Sequence, residues 1–454
     1  MSRATGAIDP LEVAERVLDR ARRAGATACD AVAVEAESSS TSVRLGEVET
    51  VKLSRERRLG LRCFAGESSA VASTADFDPD AVDAFARQVV ELARAVAPDP
   101  YSGLPDPSLL AKDWPDLEMY DPAGLELSPE ERVARAKACE AAALSADARL
   151  VNSEGADFAL GSARVAYASS AGFAGTYRST SYSLSVAPVA TEDGAMQRDY
   201  WYDASRSFAR LADPEAIGRT AAARTLRRLG ARPVATQQVP IVFDPQMAAS
   251  ILGHLAGAVC GGALYRRSSF LLDKLGEEVA SPLFTVIDDG RLPRGLASRP
   301  FDAEGTATRR TVVVERGVLR SYLLDGYAAR KLSMSSTGSA SRSVGDVPAA
   351  SPTNFHLAAG ENTPEQIIAS VPRGLYVTGL SGFGVNGVTG DYSRGASGIW
   401  IENGELTHPV EEVTIAGNLL QMYRDVEMVG NDLVFRSSIV APTLKIRQMM
   451  LAGR

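Results

Sequence analysis

Between Gly379 and Gly404 the chain reads GLSGFGVNGVTGDYSRGASGIWIENG, and eight of these 26 residues are glycine. Glycine is used where backbone takes positive φ or must approach another group closely. The stretch also carries Phe383, Tyr392, Trp400 and the charged residues Asp391 and Arg394, which a flexible spacer does not need. It ends on a strand-and-turn signal, Ile399-Trp400-Ile401 followed by Asn403-Gly404. The reading is an ordered, surface-lining loop that runs into a hairpin. Gly382, Gly384 and Gly387 satisfy G-x-G-x-x-G, with Glu402 and Glu405 at tolerable distances beyond. That motif needs a helix opening at its third glycine. Here more glycines and a hairpin follow, so no helix end is offered to a phosphate, and a nucleotide site is rejected.

Outward from this segment, helix starts are written by one repeated device. Asp9-Pro10, Asp78-Pro79, Ser128-Pro129, Asp213-Pro214, Asp244-Pro245 and Thr363-Pro364 each place a capping side chain before a first-turn proline. Asp9/Glu12, Ser128/Glu131 and Thr363/Gln366 have the spacing of capping boxes. Val13, Val17 and Leu18 with Ala14 and Ala21 make one apolar stripe on the first helix, and Gly25 stops it. Short alternating segments then predict strands at Cys29–Glu37, Ser40–Leu45, Thr50–Ser54, Leu59–Phe64 and Ala70–Ala75. Further strands are expected near Ser162–Ala168, Thr176–Ala190 and Met196–Ser205, and a hairpin at Val312–Leu324 turning at Arg316-Gly317. The prediction is an α+β fold in three parts. Residues 1–112 form an N-terminal domain of helices and antiparallel sheet, 113–235 a connecting α/β region, and 236–454 a larger β-rich domain of mostly antiparallel sheet.

Composition narrows the function classes. At 454 residues the chain is long for one core. Its 45% hydrophobic and 23% charged content is ordinary for a globular protein. A formal charge of −8 argues against general nucleic-acid affinity. Cys29, Cys63, Cys139 and Cys260 show no C-x-x-C spacing, which points to buried thiols in a reducing compartment. No secretory pattern opens the chain. The most membrane-like run, Met247 to Leu264, is broken by His254 and four glycines and reads as a buried helix of small residues. A cytoplasmic protein without membrane contact is expected.

No catalytic set is recognisable. The three histidines, His254, His356 and His408, are too far apart for a local metal pair. His254 sits on the small-residue helix, where a hydrogen-bonded core or interface role is the ordinary one. His356 reads as a strand residue, and His408 as exposed in a polar strand. There is no G-x-S-x-G elbow, and the Ser/Gly clusters at Ser333–Ser343 and Ser393–Gly398 lack a histidine base.

The residues do resemble a known family. Gly390-Asp391-Tyr392-Ser393-Arg394-Gly395-Ala396-Ser397-Gly398-Ile399-Trp400-Ile401-Glu402-Asn403-Gly404-Glu405 is similar to the signature of the TldD/PmbA metallopeptidase family, in its PmbA (TldE) branch. Val43–Glu49, Asp99–Leu104, Gly261–Leu271, Ser336–Ala340 and Ala441–Leu444 match further blocks in the right order. The resemblance implies a bacterial proteolytic complex acting on small, unfolded or modified peptides, a family also linked to gyrase modulation and antitoxin turnover. In it a TldD-type subunit carries zinc on a His-Glu-x-x-x-His helix plus a later cysteine, and a TldE-type subunit pairs with it. Here the corresponding helix reads Ser250-Ile251-Leu252-Gly253-His254-Leu255-Ala256-Gly257-Ala258-Val259, and Cys260 is the last cysteine. A zinc hydrolase needs about three protein ligands, an open position and a base.

The expectation is therefore a subunit with no catalytic or metal residues of its own, no cofactor, and zinc in its partner. His254 would be a degenerate metal-helix position. Gly390, Asp391, Tyr392, Ser393, Arg394, Gly395 and Ser397 would form a loop lining a substrate chamber or partner interface, with Asp391 and Arg394 joined as a local ion pair. The Ser333–Ser343 loop would line the same interior or the partner interface, and exposed strand edges there would hold an extended peptide by main-chain pairing. Two alternatives stay open: a homodimeric peptide-binding or regulatory protein, and a stand-alone hydrolase with an unrecognised site.

Overall fold

A computed structural model describes residues 9–453. Its first half is one layered unit. Helix α1 (Pro10–Arg23) leads to strands β1 (Ala28–Arg44), β2 (Glu47–Ala65) and β3 (Ser68–Thr74), then α2 (Pro79–Ala95). After a connector come α3 (Pro129–Leu144), β4 (Leu150–Ser169), β5 (Phe173–Glu192), β6 (Ala195–Arg198), β7 (Trp201–Ser205) and α4 (Pro214–Leu226). One seven-stranded sheet takes all these strands in the order β3-β2-β1-β4-β5-β6, with β7 also on β5. Strands β1 and β4 pair antiparallel from Asp30/Ser169 to Val43/Ala156. The sheet therefore runs unbroken across the division expected at 112/113.

All six Xaa-Pro signals start helices, and each cap side chain accepts a backbone N–H of the first turn. Reciprocal capping boxes form at Ser128/Glu131 and Thr363/Gln366. At Asp9 the expected box with Glu12 is not made; the Asp9 carboxylate instead accepts from Leu11 N and from the Arg164 guanidinium. The strands are longer than expected. Cys29–Glu37 and Ser40–Leu45 are one strand, as are Thr50–Ser54 and Leu59–Phe64, while Met196–Ser205 is two. The reason is exposure: β2 is solvated on both faces over most of residues 47–57, so its polar run carries no period-2 signal.

Alternation along β1 divides two cores. Cys29, Ala31 and Ala33 face α1 and α2, whose Val13, Val17, Val82 and Val89 complete that core. Val32 and Val34, on the other face, pack with Tyr167 and Phe173 against Phe301 and Val344 of the C-terminal part. Asp30 shares this second face and lies directly opposite Arg62. Three of the four cysteines are buried and Cys260 is half-buried, all as free thiols.

The C-terminal part begins with β8 (Gln237–Phe243), α5 (Pro245–Ala258) and α6 (Gly261–Tyr265). It continues through β9 (Val286–Asp289), β10 (Arg310–Glu315), β11 (Val318–Leu319), α7 (Gly326–Lys331), β12 (Ala340–Ser341), β13 (Ala349–Ala350), β14 (Phe355–Leu357) and α8 (Pro364–Ala369). The last elements are β15 (Arg373–Ser381), β16 (Asp391–Glu402), β17 (Glu405–Asn418), α9 (Leu419–Arg424), β18 (Val426–Val429), β19 (Ile439–Val440) and β20 (Leu444–Ala452). Strands pair in the order β17-β16-β15-β8-β20, and β20 returns to β17 at Thr414–Ala416. The circuit closes through those three pairs, which covers the edge of β17 over Thr414–Ala416. Only β15 on β8 is parallel within it. Helix α5 packs into this core: Ile251, Leu252 and Leu255 join Ile241, Phe243, Val377, Trp400 and Ile415. Each such burial is worth roughly 1.5–3 kcal/mol. A second sheet, β11-β10-β9-β14-β19, lies beside it. Among the described residues, no helix is long and apolar enough to cross a membrane.

A buried ionic joint ties the two halves together. Asp30 accepts from Arg62 Nε at 3.0 Å and from Arg342 at 2.7 Å. Arg62 also lies 3.7 Å from Glu304, whose other oxygen takes the Gly326 N–H at 2.7 Å. Asp30 and Glu304 are at most 1% exposed. Burial would raise the Asp30 pKa, but the Arg342 and Arg62 charges together hold it below its ordinary value. This joint draws on the Ser333–Ser343 loop. Its Arg342 is spent on Asp30, and Ser336, Ser339 and Ala340 are buried, so the middle of the loop is a seam between halves, while Ser333, Met334, Ser335 and Ser343 stay exposed.

Candidate functional site

The glycine segment separates into two structures. Residues 391–402 are β16, bonded to β15 on one side and β17 on the other. The strand edge expected to pair with a peptide is therefore occupied. The loop proper is 382–390, with no helix in it. It is held by its own backbone: Ser393 N donates to Gly384 O, Asn386 N to Asp391 O and Leu419 N to Gly390 O. A Cβ on Gly384 would lie 1.9 Å from the Ser393 carbonyl oxygen, so only glycine lets the loop fold back on β16 this closely. Phe383 stands at the tip, fully exposed.

This loop roofs a cleft of about 470 Å³ whose floor is α5. Gly253, His254, Gly257 and Ala258 come from the helix, Phe383, Val385 and Gly387 from the loop, and Arg394 from β16; Phe270 and Leu419 add apolar wall. Gly253 and Gly257 are one helical turn apart, and a Cβ added to either meets nothing within 4 Å. These glycines leave bare backbone at the floor. The small-residue character of the helix thus has two sources: its buried positions pack the core, and its glycines open the cleft.

Strand alternation decides which signature residues reach this cleft. Tyr392 and Arg394 turn toward α5, where the Tyr392 and His254 rings meet edge-on with centroids 6.0 Å apart. Arg394 donates to Ser250 Oγ at 3.0 Å. Asp391 points the other way, accepting from Thr389 Oγ1 at 2.7 Å and from Asn418. Those two hydrogen bonds hold its carboxyl below the ordinary range. The expected Asp391–Arg394 ion pair is therefore absent, because positions three apart on a strand face opposite sides. Gly390 and Ser393 stay with the loop base, while Gly395 and Ser397 line a different cleft of about 870 Å³ with Gln197, Arg228 and Thr378.

The electrostatics of the cleft are cationic. His254 is not hydrogen-bonded, contrary to expectation: its Nε2 is buried without a partner in the chain. Burial first, and the Arg394 charge second, hold its pKa below the usual imidazole value, so it is neutral at neutral pH. Arg394 Nε is likewise buried without a partner. The Tyr392 hydroxyl lies beside the guanidinium without hydrogen-bond geometry, and burial pushes its pKa far up. His356 is on β14 as expected, its Nδ1 near Asn354 O, and it is not among the residues lining this cleft. His408, expected exposed, is half-buried beside Thr407.

These residues do not fit zinc. A zinc site wants several anionic or imidazole donors converging at about 2 Å. The cleft offers one imidazole and a guanidinium, whose fixed charge repels a cation. Among the described residues, no other group of three His, Cys, Asp or Glu could hold a metal. The sequence reading singled out His254 and Arg394 separately but missed their meeting, and it missed Ser250, Phe270 and Leu419. The spacing of Gly253 and Gly257 beside His254 was the available signal.

Comparisons agree with this fold. Models of the PmbA/TldA metallopeptidase match in three successive blocks: domain 1 over residues 29–93, the central domain over 122–229 and the C-terminal domain over 236–453. A metalloprotease PmbA of Escherichia coli O157:H7 is 41% identical over 415 residues, spanning 91% of this chain and 90% of that one. A crystal structure from Bacteroides thetaiotaomicron, of a protein described as a proposed modulator of DNA gyrase, superposes with a TM-score of 0.91 at 30% identity over 98% of each chain. TldE from Thermococcus kodakarensis shares the fold, with a TM-score of 0.88 at 21% identity over 97% of this chain and 99% of that one.

Proposed function

This chain belongs to the PmbA/TldA metallopeptidase family, and we propose that it works as a TldE-type subunit without zinc of its own. In this reading a TldD-type subunit carries the metal and the hydrolytic step. This chain shapes the chamber that admits unfolded or modified peptides. The observation that supports the reading is that His254 and Arg394 line one cleft with no carboxylate or thiol among its lining residues. The fixed guanidinium charge there disfavours a cation.

The roles left to this chain follow from its residues. The loop 382–390 presents an exposed aromatic, Phe383, beside an apolar-walled cleft. Aromatic anchors of this kind supply contact area at small entropic cost. The buried Asp30 joint ties the two halves together behind it. The pairing of β16 with β15 and β17 removes strand addition on β16 as a way to hold peptide, which leaves the cleft and the loop backbone for that task.

Affinity purification of this chain from its native host, with no added partner, tests the reading. Recovery of a stoichiometric paralogue bearing His-Glu-x-x-x-His is the expected result. Recovery of only the chain itself, as a homodimer, would overturn it.

A further inference from the structure

We propose that the cleft between α5 and the loop 382–390 binds the C-terminal carboxylate of a peptide, with Arg394 as its counter-ion and His254 as a neutral second donor. This names the part of the substrate held by the chamber and rests on the peptide-handling reading above.

The argument starts from an imbalance. Arg394 is the one charged side chain lining the cleft among the described residues. Among the described residues its polar neighbours are neutral hydroxyls: it donates to Ser250 Oγ at 3.0 Å and has the Tyr392 hydroxyl beside it, and its Nε is buried without a partner. The nearest acid in sequence, Asp391, is turned to the far face and held there by Thr389 and Asn418. A half-buried guanidinium without an acidic neighbour is a site for an anion, and a carboxylate meets its planar fork well. His254 lines the same cleft, and its Nε2 lies buried without a partner. A neutral imidazole can carry its proton on that nitrogen and donate it. The edge-on Tyr392 ring fixes the imidazole plane.

The charge count selects the ligand. One guanidinium beside a neutral imidazole balances a single negative charge, which matches a carboxylate better than a phosphate dianion. The walls select what is attached to it. Phe270, Val385, Leu419 and the Phe383 ring present an apolar surface, suited to a last residue with an aliphatic or aromatic side chain. The rest of the chain has somewhere to go. Gly257 and Ala263 line both this cleft and an adjoining one of about 750 Å³, between α6, α7 and the first half of the molecule. Small residues at that junction leave the passage open.

The test uses the full chain, alone and mixed with a TldD-type subunit. Probes are the N-acetylated tripeptide Ala-Ala-Leu as free acid and as C-terminal amide, with inorganic phosphate and acetate as competitors. Calorimetry is expected to show the acid binding at least about tenfold more tightly than the amide. Arg394→Gln is expected to erase that difference and Arg394→Lys to restore part of it. The acid-versus-amide comparison on the unaltered chain needs no variant, so it stands if Arg394→Gln fails to fold. Equal binding of acid and amide overturns the carboxylate assignment while leaving a peptide-handling role intact. Phosphate displacing the acid better than acetate does also overturns it. Binding of neither peptide in either preparation overturns both the assignment and the reading it rests on.

Discussion

Replacing Gly253 with alanine should make the protein more stable and worse at its task. Gly253 lies inside α5, where an added Cβ meets nothing within 4 Å. Glycine in a helix interior costs about 0.8–1 kcal/mol relative to alanine. Gly253→Ala should therefore stabilise α5 by up to about 1 kcal/mol, with no packing penalty. The effect is local to α5, so the assay is native-state hydrogen exchange of the α5 amides. Their protection should rise about fivefold, the factor that corresponds to that energy. Gly257→Ala adds a second methyl one turn along the same floor. The double variant should bind the tripeptide acid at least about fivefold more weakly, since filling a shaped cleft costs about 1–3 kcal/mol. A fall in protection would show that Gly253 is there for close packing, which refutes the open floor. Unchanged peptide binding in the double variant would refute the cleft as the site.

Three further outcomes follow from other parts of the molecule. Asp30→Asn strips the carboxylate from two buried guanidiniums and should destabilise by about 3–5 kcal/mol, read by denaturant unfolding. Glu37→Gln, in an exposed pair with Arg55 at 3.1 Å, should leave the curve unchanged, and similar effects of the two would refute the joint. Glu304 is pushed up from 4.5 to about 7, mainly by burial, with Asp302 beside it. A raised carboxyl binds more protons folded than unfolded, so its contribution is complete below pH 4.5 and fades as pH rises through about 7. Unfolding titrated across that window should show this fall in the parent and a flatter profile in Glu304→Gln; identical slopes would contradict it. Gly384→Ala puts a methyl 1.9 Å from Ser393 O. It should release the loop, seen as new proteolytic nicks within 382–390 while the global melt stays put.

How much of this was written in the sequence depended on the range of the signal. Helix starts were, because a cap and a first-turn proline act within four residues, and all six held. The hairpins at Arg316-Gly317 and Asn403-Gly404 were, because both residues of each turn take positive φ. The length of β2 was not, since solvent on both faces erases alternation, nor that of β1, whose Ser38-Ser39-Ser40 run carries no apolar period although the strand continues through it. Nor was the strand-central place of β16, because neighbours β15 and β17 bury its glycines by close backbone approach and not by any local pattern. The Asp391–Arg394 pair failed for a reason legible in hindsight, the period of two. The pairing of His254 with Arg394, and of Asp30 with Arg342, joins residues far apart in the chain, which only the assembled fold brings together.

The central claim is that the metal and the hydrolytic step belong to another chain. The most direct measurement is metal content and peptide cleavage on the same preparations: this chain purified alone, and its complex with a TldD-type subunit. Alone, it should hold no stoichiometric zinc and leave an unfolded peptide intact, while the complex cleaves with one zinc per pair. One zinc per chain, with cleavage by this chain alone, would contradict the account.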